Sequence, residues 1–413
     1  MRCGANFVRD WKPTDYISFE YFMRIAFIST MRGIAWGGSE ELWFEAAVEA
    51  VKQGHEVLAS VGHWGKAAPK LQILKNLGVE IHIQTPSRRN LQKSDIVGRV
   101  NAKLRQMISG EGYSFSPVEK FKPDIVCTSQ ANTHDIPGFP HLRDFLVRGK
   151  TPYTVVCHGH QDIPFSDDHD RYLTKTHFEK ALWVGFVAHS LINSIERHLA
   201  SSVNNGFVIR NPVNLINVRE IPFPSTEKTI RLASVARLES YQKGQDILFE
   251  ALADDRWRKR DWRLTLAGEG PHLTYLQELA RHYHIENKVE FLGQITDIRK
   301  LWAENHLLLL PSRYEGTPLS LVEAMLCARS AVVTDIAGNN EWITDELNGF
   351  IAAAPNAKSI LEALERAWNR RSEWGEMGIL ARQTALQQYP ENPGAVLLNF
   401  LIEPKKAQHL MKV

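Results

Sequence analysis

Cysteine is scarce in this chain. Its four residues, Cys3, Cys127, Cys157 and Cys327, are scattered, with no CxxC pair and no histidine nearby at zinc spacing. A disulfide framework and a structural metal are not expected, no cofactor or metal is called for, and a reducing compartment fits. Apolar runs of membrane length are missing as well. The longest candidates, such as Ala181 to Ala188, are strand-sized, whereas a spanning helix needs about 20 residues. Charge of either sign has no surplus: Lys plus Arg is 49 against Asp plus Glu at 47, a net of +2. No whole-protein field exists to hold nucleic acid by phosphate neutralisation, so no nucleic-acid partner is expected. With 44% hydrophobic and 23% charged residues, composition excludes disorder, collagen and coiled coil.

What is present is a long alternation. At 413 residues the chain exceeds one compact core, and two domains are expected. Residues 1–22 carry Arg2, Arg9, Asp10 and Lys12 without an apolar h-region, and are read as a poorly ordered extension rather than a secretory signal. From Met23, apolar segments near 24–29, 56–61, 79–83, 124–128 and 153–157 alternate with helical patterns, the signature of βαβ units on a parallel sheet. Ser39 is read as the cap of the first helix, with Glu40 and Glu41 at the positive end of its dipole and Leu42, Ala46, Ala50 and Val51 along its apolar face. The proline-bearing stretch from Asn211 to Ser225 breaks the pattern, and Ile230 to Ala236 restarts it. Further strands are expected near 263–267, 289–292, 306–310 and 331–334, and Leu273, Leu276, Ala280 and Tyr283 mark a helix. Two tandem α/β halves imply a cleft, with chemistry on the loops at strand ends.

The densest motif runs from Pro311 to Met325. Leu307 to Leu310 reads as a buried strand, Glu315 and Gly316 as its turn, Thr317 as a helix cap and Pro318 as the first helical residue. The amides of Leu319 and Ser320 then face the crevice, where anionic oxygens bind. Glu323 is the only charge on a helix read from Pro318 to Ala328. It either has a buried partner or escapes to solvent at the helix edge. Upstream, Arg237 and Lys243 flank a strand-to-helix loop and could clamp a diphosphate, or stand as an ordinary solvated pair. Gly268 ends the next strand in a GxGP turn, Gly37 and Gly38 precede the first helix, and His158 ends a strand in the first half, where it is structural or catalytic.

In order and spacing these residues resemble the retaining glycosyltransferase family 4 of the GT-B fold, among the glycosyl transferases group 1, over about residues 23–390. Glu315 and Glu323 match its paired glutamates, Arg237 and Lys243 its phosphate-binding pair, and Gly37-Gly38 and His158 its first-domain loops. The resemblance implies two Rossmann-like α/β domains facing each other across a cleft. Residues 23–212 would bind the acceptor, 213–228 link the domains, 229–392 bind a nucleotide sugar, and 393–413 pack back on the first domain. It further implies Glu315 and His158 as catalytic residues. Arg237, Lys243, Glu323, Gly316, Thr317, Pro318, Leu319 and Gly268 would hold the donor, and Gly37 and Gly38 would lie against the donor sugar or acceptor. The implied reaction moves a sugar from a nucleotide-diphosphate sugar to a glycan or lipid-linked acceptor without a metal. The rivals are a nucleotide-sugar epimerase and a silent nucleotide-sugar binder.

Two departures stand out: Ala236 replaces the usual glycine before the arginine, and Cys327-Ala328-Arg329-Ser330 lacks the usual Gly and Pro. The stretch from Arg88 to Arg105, with Arg89, Lys93, Arg99 and Lys103 against Asp95 alone, reads as a solvated basic face or a peripheral contact with anionic membrane. The expected location is cytoplasmic, at the inner face of the membrane.

Overall fold

The computed structural model describes residues 22–32, 36–63, 68–84, 114–160, 162–215, 220–225, 229–336 and 338–408. Arg88–Arg105 and nearly all of the N-terminal extension lie outside these described residues. Within them the first half contributes β1 (Arg24–Ser29), β2 (Glu56–Gly62), β3 (Glu80–Gln84), β4 (Ile125–Gln130), β5 (Tyr153–Cys157), β6 (Val184–Phe186) and β7 (Gly206–Val208). The second contributes β8 (Ile230–Val235), β9 (Trp262–Ala267), β10 (Val289–Gly293), β11 (Leu307–Leu310), β12 (Ser330–Thr334) and β13 (Phe350–Ala352).

Both sheets are parallel, in the orders β3-β2-β1-β4-β5-β6-β7 and β10-β9-β8-β11-β12-β13. Helices cover both faces of such sheets, so a central strand can be apolar along its whole length; each leucine of Leu307–Leu310 is about 1% exposed or less. Strand order reverses between β1 and β4 in one sheet and between β8 and β11 in the other. Loops leaving neighbouring strands diverge there, which opens a crevice at the carboxyl ends.

The halves are joined by polar contacts rather than by one continuous core. Thr317, after β11, donates its hydroxyl to the carbonyl of Val187, after β6, at 2.6 Å. Arg210 donates to that same carbonyl at 2.9 Å and pairs with Glu341 at 3.1 Å. Glu341 also accepts from the Ser190 amide at 3.0 Å. The helix Pro393–Ile402 returns to the first half, where Leu397, Leu398 and Leu401 share a core with Leu42, Trp43 and Ala46 of the helix Gly38–Lys52.

Several local expectations shift. The first helix is preceded by Gly37 in extended conformation and begins at Gly38, so Ser39 lies inside it and does not cap it. The helix after β11 runs Leu319–Leu326 with Pro318 as its cap. Thr317 therefore stands one residue before the cap and makes no capping bond; its hydroxyl donates to Val187. Leu273 opens the helix Leu273–His282 at 40% exposure, leaving Leu276 and Ala280 to make its buried face.

Candidate functional site

Residues from β8, β11 and the loops after them meet at the second crevice. The loop after β11 turns Glu315 inward, to 5% exposure, where its Oε1 accepts from Ser312 Oγ at 2.7 Å and from Lys243 Nζ at 2.7 Å. A buried carboxylate needs such partners, because burial without charge compensation costs several kcal/mol. Lys243 ends the short helix Ser240–Lys243 that follows β8. Arg237, on the same loop, is half-exposed and donates to Glu239 at 2.8 Å. The two cations expected to act as one clamp are thus each held by a different carboxylate.

Glu323 lies in the helix Leu319–Leu326, 5% exposed, and its Oε1 accepts from the Asn214 amide at 2.9 Å. Of the two alternatives for Glu323, a buried partner or escape to solvent, it is the first that holds. Burial pushes its carboxyl above the ordinary range, and the Asn214 hydrogen bonds draw it part of the way back. This contact fixes the chain where it passes from one half to the other.

Gly316 packs directly against the first half. A β-carbon there would lie 2.0 Å from the carbonyl oxygen of His158, so no larger residue fits. Gly268 ends β9 at a φ of +145°, and a β-carbon there would lie 2.1 Å from the carbonyl of Ala236. Gly38 faces Leu319 of the opposite half, the position of a β-carbon being 3.1 Å from Leu319 Cδ1. Glu315, Gly316, Thr317, Pro318 and Leu319 are therefore brought against the loop of His158 and the start of the Gly38–Lys52 helix.

His158 follows β5 at 8% exposure, its Nε2 3.0 Å from Ser129 Oγ, while Nδ1 is buried with no hydrogen-bond partner among the described residues. Burial holds the ring down to about 4, only partly offset by nearby Asn211, so it is neutral near pH 7. A neutral imidazole here can donate or accept one hydrogen bond but carries no charge.

Sequence reasoning missed Glu40. Placed by the sequence at the positive end of the helix dipole with no further role, it turns inward at 3% exposure. Ser29 Oγ donates to Oε1 and Trp43 Nε1 to Oε2, each at 2.9 Å. Burial is the main cause that raises its carboxyl to about 7. The only signal was Trp43, whose indole needs an acceptor when buried.

The family described as glycosyl transferases group 1 matches residues 218–383. That stretch holds Arg237, Lys243, Gly268, Glu315 to Leu319 and Glu323, but not His158, Gly37 or Gly38. One component of the human phosphatidylinositol N-acetylglucosaminyltransferase is 30% identical over 39% of this chain and 33% of its own length. The N-acetyl-alpha-D-glucosaminyl L-malate synthase of Bacillus anthracis is 26% identical over 64% of this chain and 71% of its own. The chain spans between a third and about half of the first curated relatives it matches, 33%, 56% and 39% of their lengths. Among solved structures, Anabaena HepE in complex with UDP superposes with a TM-score of 0.66 at 18% identity, over 93% of this chain and 100% of that one. The fold is GT-B, two Rossmann-like α/β domains. No helix among the described residues is long and apolar enough to cross a membrane.

Proposed function

We propose that this chain is a glycosyltransferase of the group 1 type, and more narrowly of the retaining family 4. In this reading it moves a sugar from a nucleotide-diphosphate sugar to a glycan or lipid-linked acceptor, without a metal. The observation that carries the reading is the buried contact of Glu315 with Lys243, facing His158 across Gly316. In this reading a carboxylate and a cation line the crevice, with the backbone of His158 against them from the opposite half.

Departure of a nucleoside diphosphate from the sugar carbon builds negative charge on phosphate oxygens, and preorganised donors are the means of stabilising it. Lys243 and Arg237 serve as charged donors to the diphosphate. The amides of Leu319 and Ser320 supply further donors at the helix start; Pro318 has no N–H to give. The Glu323 carboxylate keeps Oε2 for the ribose hydroxyls while Oε1 holds Asn214. Glu315 accepts from donor-sugar hydroxyls, His158 contacts that sugar from the opposite half, and Gly268, Gly37 and Gly38 let backbone approach. The catalytic positions come from both halves, so the acceptor enters between them.

The test is a panel of UDP-, GDP- and ADP-sugars, screened first by thermal shift, with UDP the first candidate because it occupies HepE. A bound donor at 100 times its dissociation constant stabilises by about 2.7 kcal/mol. The stabilising donor is then incubated with and without glycan and lipid-linked acceptors. Nucleotide release that requires an acceptor supports transfer. Sugar conversion without acceptor would indicate an epimerase, and stabilisation without turnover under any condition a silent binder. The anomeric configuration of the product, read by NMR, decides retention.

A further inference from the structure

A cluster of histidines lies beside, and outside, the proposed donor site. His134 follows β4, His160 follows β5 and His198 lies in the last turn of the helix His189–Leu199, and one ring nitrogen from each lies within 4.8 Å of the others. Their positions are far apart in the chain, which is why sequence spacing predicted no metal.

The hydrogen bonds of the rings determine which nitrogens face one another. Thr133 Oγ1 is 2.9 Å from His134 Nδ1 and 2.7 Å from His160 Nδ1. When the hydroxyl oxygen accepts from both Nδ1–H groups, both Nε2 atoms carry lone pairs. His160 is 6% exposed, and its Nε2 has no hydrogen-bond partner among the described residues. On His198, Nε2 lies 3.2 Å from Asp162 Oδ1; with the hydrogen on that nitrogen, the lone pair is on Nδ1, 3.4 Å from His134 Nε2.

In that tautomer two lone pairs face and repel each other, and a cation between them removes the repulsion; with the hydrogen on His198 Nδ1 instead, the same contact is a hydrogen bond. The 3.4 Å separation also matches the edge of a tetrahedron whose metal–nitrogen bonds are about 2.0–2.1 Å, an edge of about 3.3–3.4 Å. Each ring's other nitrogen is anchored by a hydroxyl or a carboxylate, and Asp162 is itself held by Arg197. Outer-shell anchoring of this kind orients metal-binding imidazoles.

We propose that His134, His160 and His198 bind one divalent cation of the zinc class. Three imidazoles favour zinc or cobalt over magnesium or calcium, which take oxygen ligands. Asp162 Oδ1 also lies 3.7 Å from His160 Nε2, so the fourth position is open to that carboxylate or to water. The ion joins the loops after β4 and β5 to the helix His189–Leu199 and stiffens the loop that carries His158. The proposal stands independently of the glycosyltransferase reading.

The test uses the full chain stripped of metal with a chelator. Zinc alone is titrated by calorimetry and cobalt(II) alone by visible absorption. One zinc equivalent, intense four-coordinate cobalt bands and a thermal midpoint raised by zinc but not magnesium are expected. His160→Ala and His198→Ala should abolish that equivalent, whereas His169→Ala, an exposed control, should keep it. Thr133→Val retains all three ligands but releases two rings, and should weaken zinc 10- to 100-fold. Should His160→Ala fail to fold, His198→Gln and Thr133→Val carry the test. Absence of a zinc equivalent on the wild-type chain, or one that survives loss of His160 or His198, overturns the proposal.

Discussion

Lys243 Nζ and Glu315 Oε1 are 2.7 Å apart in a contact that also takes in Ser312, so the cation proposed for the diphosphate and the carboxylate proposed for the sugar are already coupled. Arg237 stands outside this contact, on the half-exposed pair with Glu239. The two cations should therefore respond differently to removal. Arg237→Ala loses a charge-assisted bond to the nucleotide, weakening it on the order of tenfold with little effect on folding. Lys243→Ala should weaken nucleotide binding comparably and also lower the thermal midpoint, because Glu315 is left buried without its cation. Calorimetric titration with UDP, GDP and ADP checks both; unchanged affinity for the tightest nucleotide in the two variants would refute the assignment.

The two glutamates should fail in different ways. Glu323→Gln preserves the oxygen that accepts from Asn214 but gives up the charge offered to ribose hydroxyls, so KM for the donor rises with kcat little changed. Glu315→Gln acts nearer the reacting carbon and should lower kcat. Steady-state kinetics separate the two, and matching KM-only losses would contradict this division.

Much of this arrangement was legible in the sequence, and the reasons are local. A parallel strand buried on both faces writes itself as an unbroken apolar run, which is why Leu307–Leu310 reads correctly, and Ile230–Val235 still reads as a strand because only Arg231 and Ser234 interrupt its apolar residues. β7 and β13 are three residues each, too short for any pattern to rise above chance. What could not be read were partners distant in sequence. Thr317 is a good cap by composition, but the helix starts one residue later with Pro318 in the cap position, and the Thr317 hydroxyl reaches Val187 in the other half. Glu40 read only as a dipole-stabilising acid, because apart from Trp43 nothing nearby announces that its side chain turns inward. The histidine cluster is assembled by the ends of β4 and β5 lying side by side, a fact of sheet order rather than of spacing.

Turnover should not need magnesium or manganese, since the proposed donors are side-chain cations and amides already in position. Rates measured after chelation and with either ion added back should agree. Loss restored by magnesium or manganese would argue against the metal-independent mechanism; restoration by zinc alone would instead implicate the histidine cluster through stability.

Arg329, one of the residues departing from the family pattern, is fully buried and donates to the carbonyls of Trp302, Asn305, Ile221, Pro222, Cys327 and Ala328. Arg329→Met leaves several carbonyls unpaired and should destabilise the second half by roughly 3 to 5 kcal/mol. The neighbouring Ala328 has a φ of 57°, the left-handed region that glycine occupies without cost. Ala328→Gly should therefore stabilise by about 1 kcal/mol. Thermal midpoints moving in opposite directions check the pair, and a drop in both would show that Ala328 is packed rather than strained.

Glu40 makes the final prediction, about pH. Its carboxyl titrates near 7 in the folded chain, chiefly because it is buried, against an ordinary 4.5. Between these values the folded state keeps a proton that the unfolded state has released, so stability falls as pH rises through the window. The loss is on the order of 3 kcal/mol and is complete above pH 7. Buried histidines work in the opposite sense: His158 and His160 are held at about 4 and His177 at about 3, each chiefly by burial, and favour the folded state as pH rises toward 6.5. The wild-type profile is therefore a sum in which Glu40 is hidden, and comparison with Glu40→Gln isolates it. Glutamine retains the shape but cannot ionise, so its stability relative to wild type should rise from pH 4.5 to 7 and stay level above. Urea unfolding of both chains across pH 4.5 to 8 measures this difference. A difference that is constant over the range would mean that Glu40 titrates normally, with solvent reaching its carboxylate.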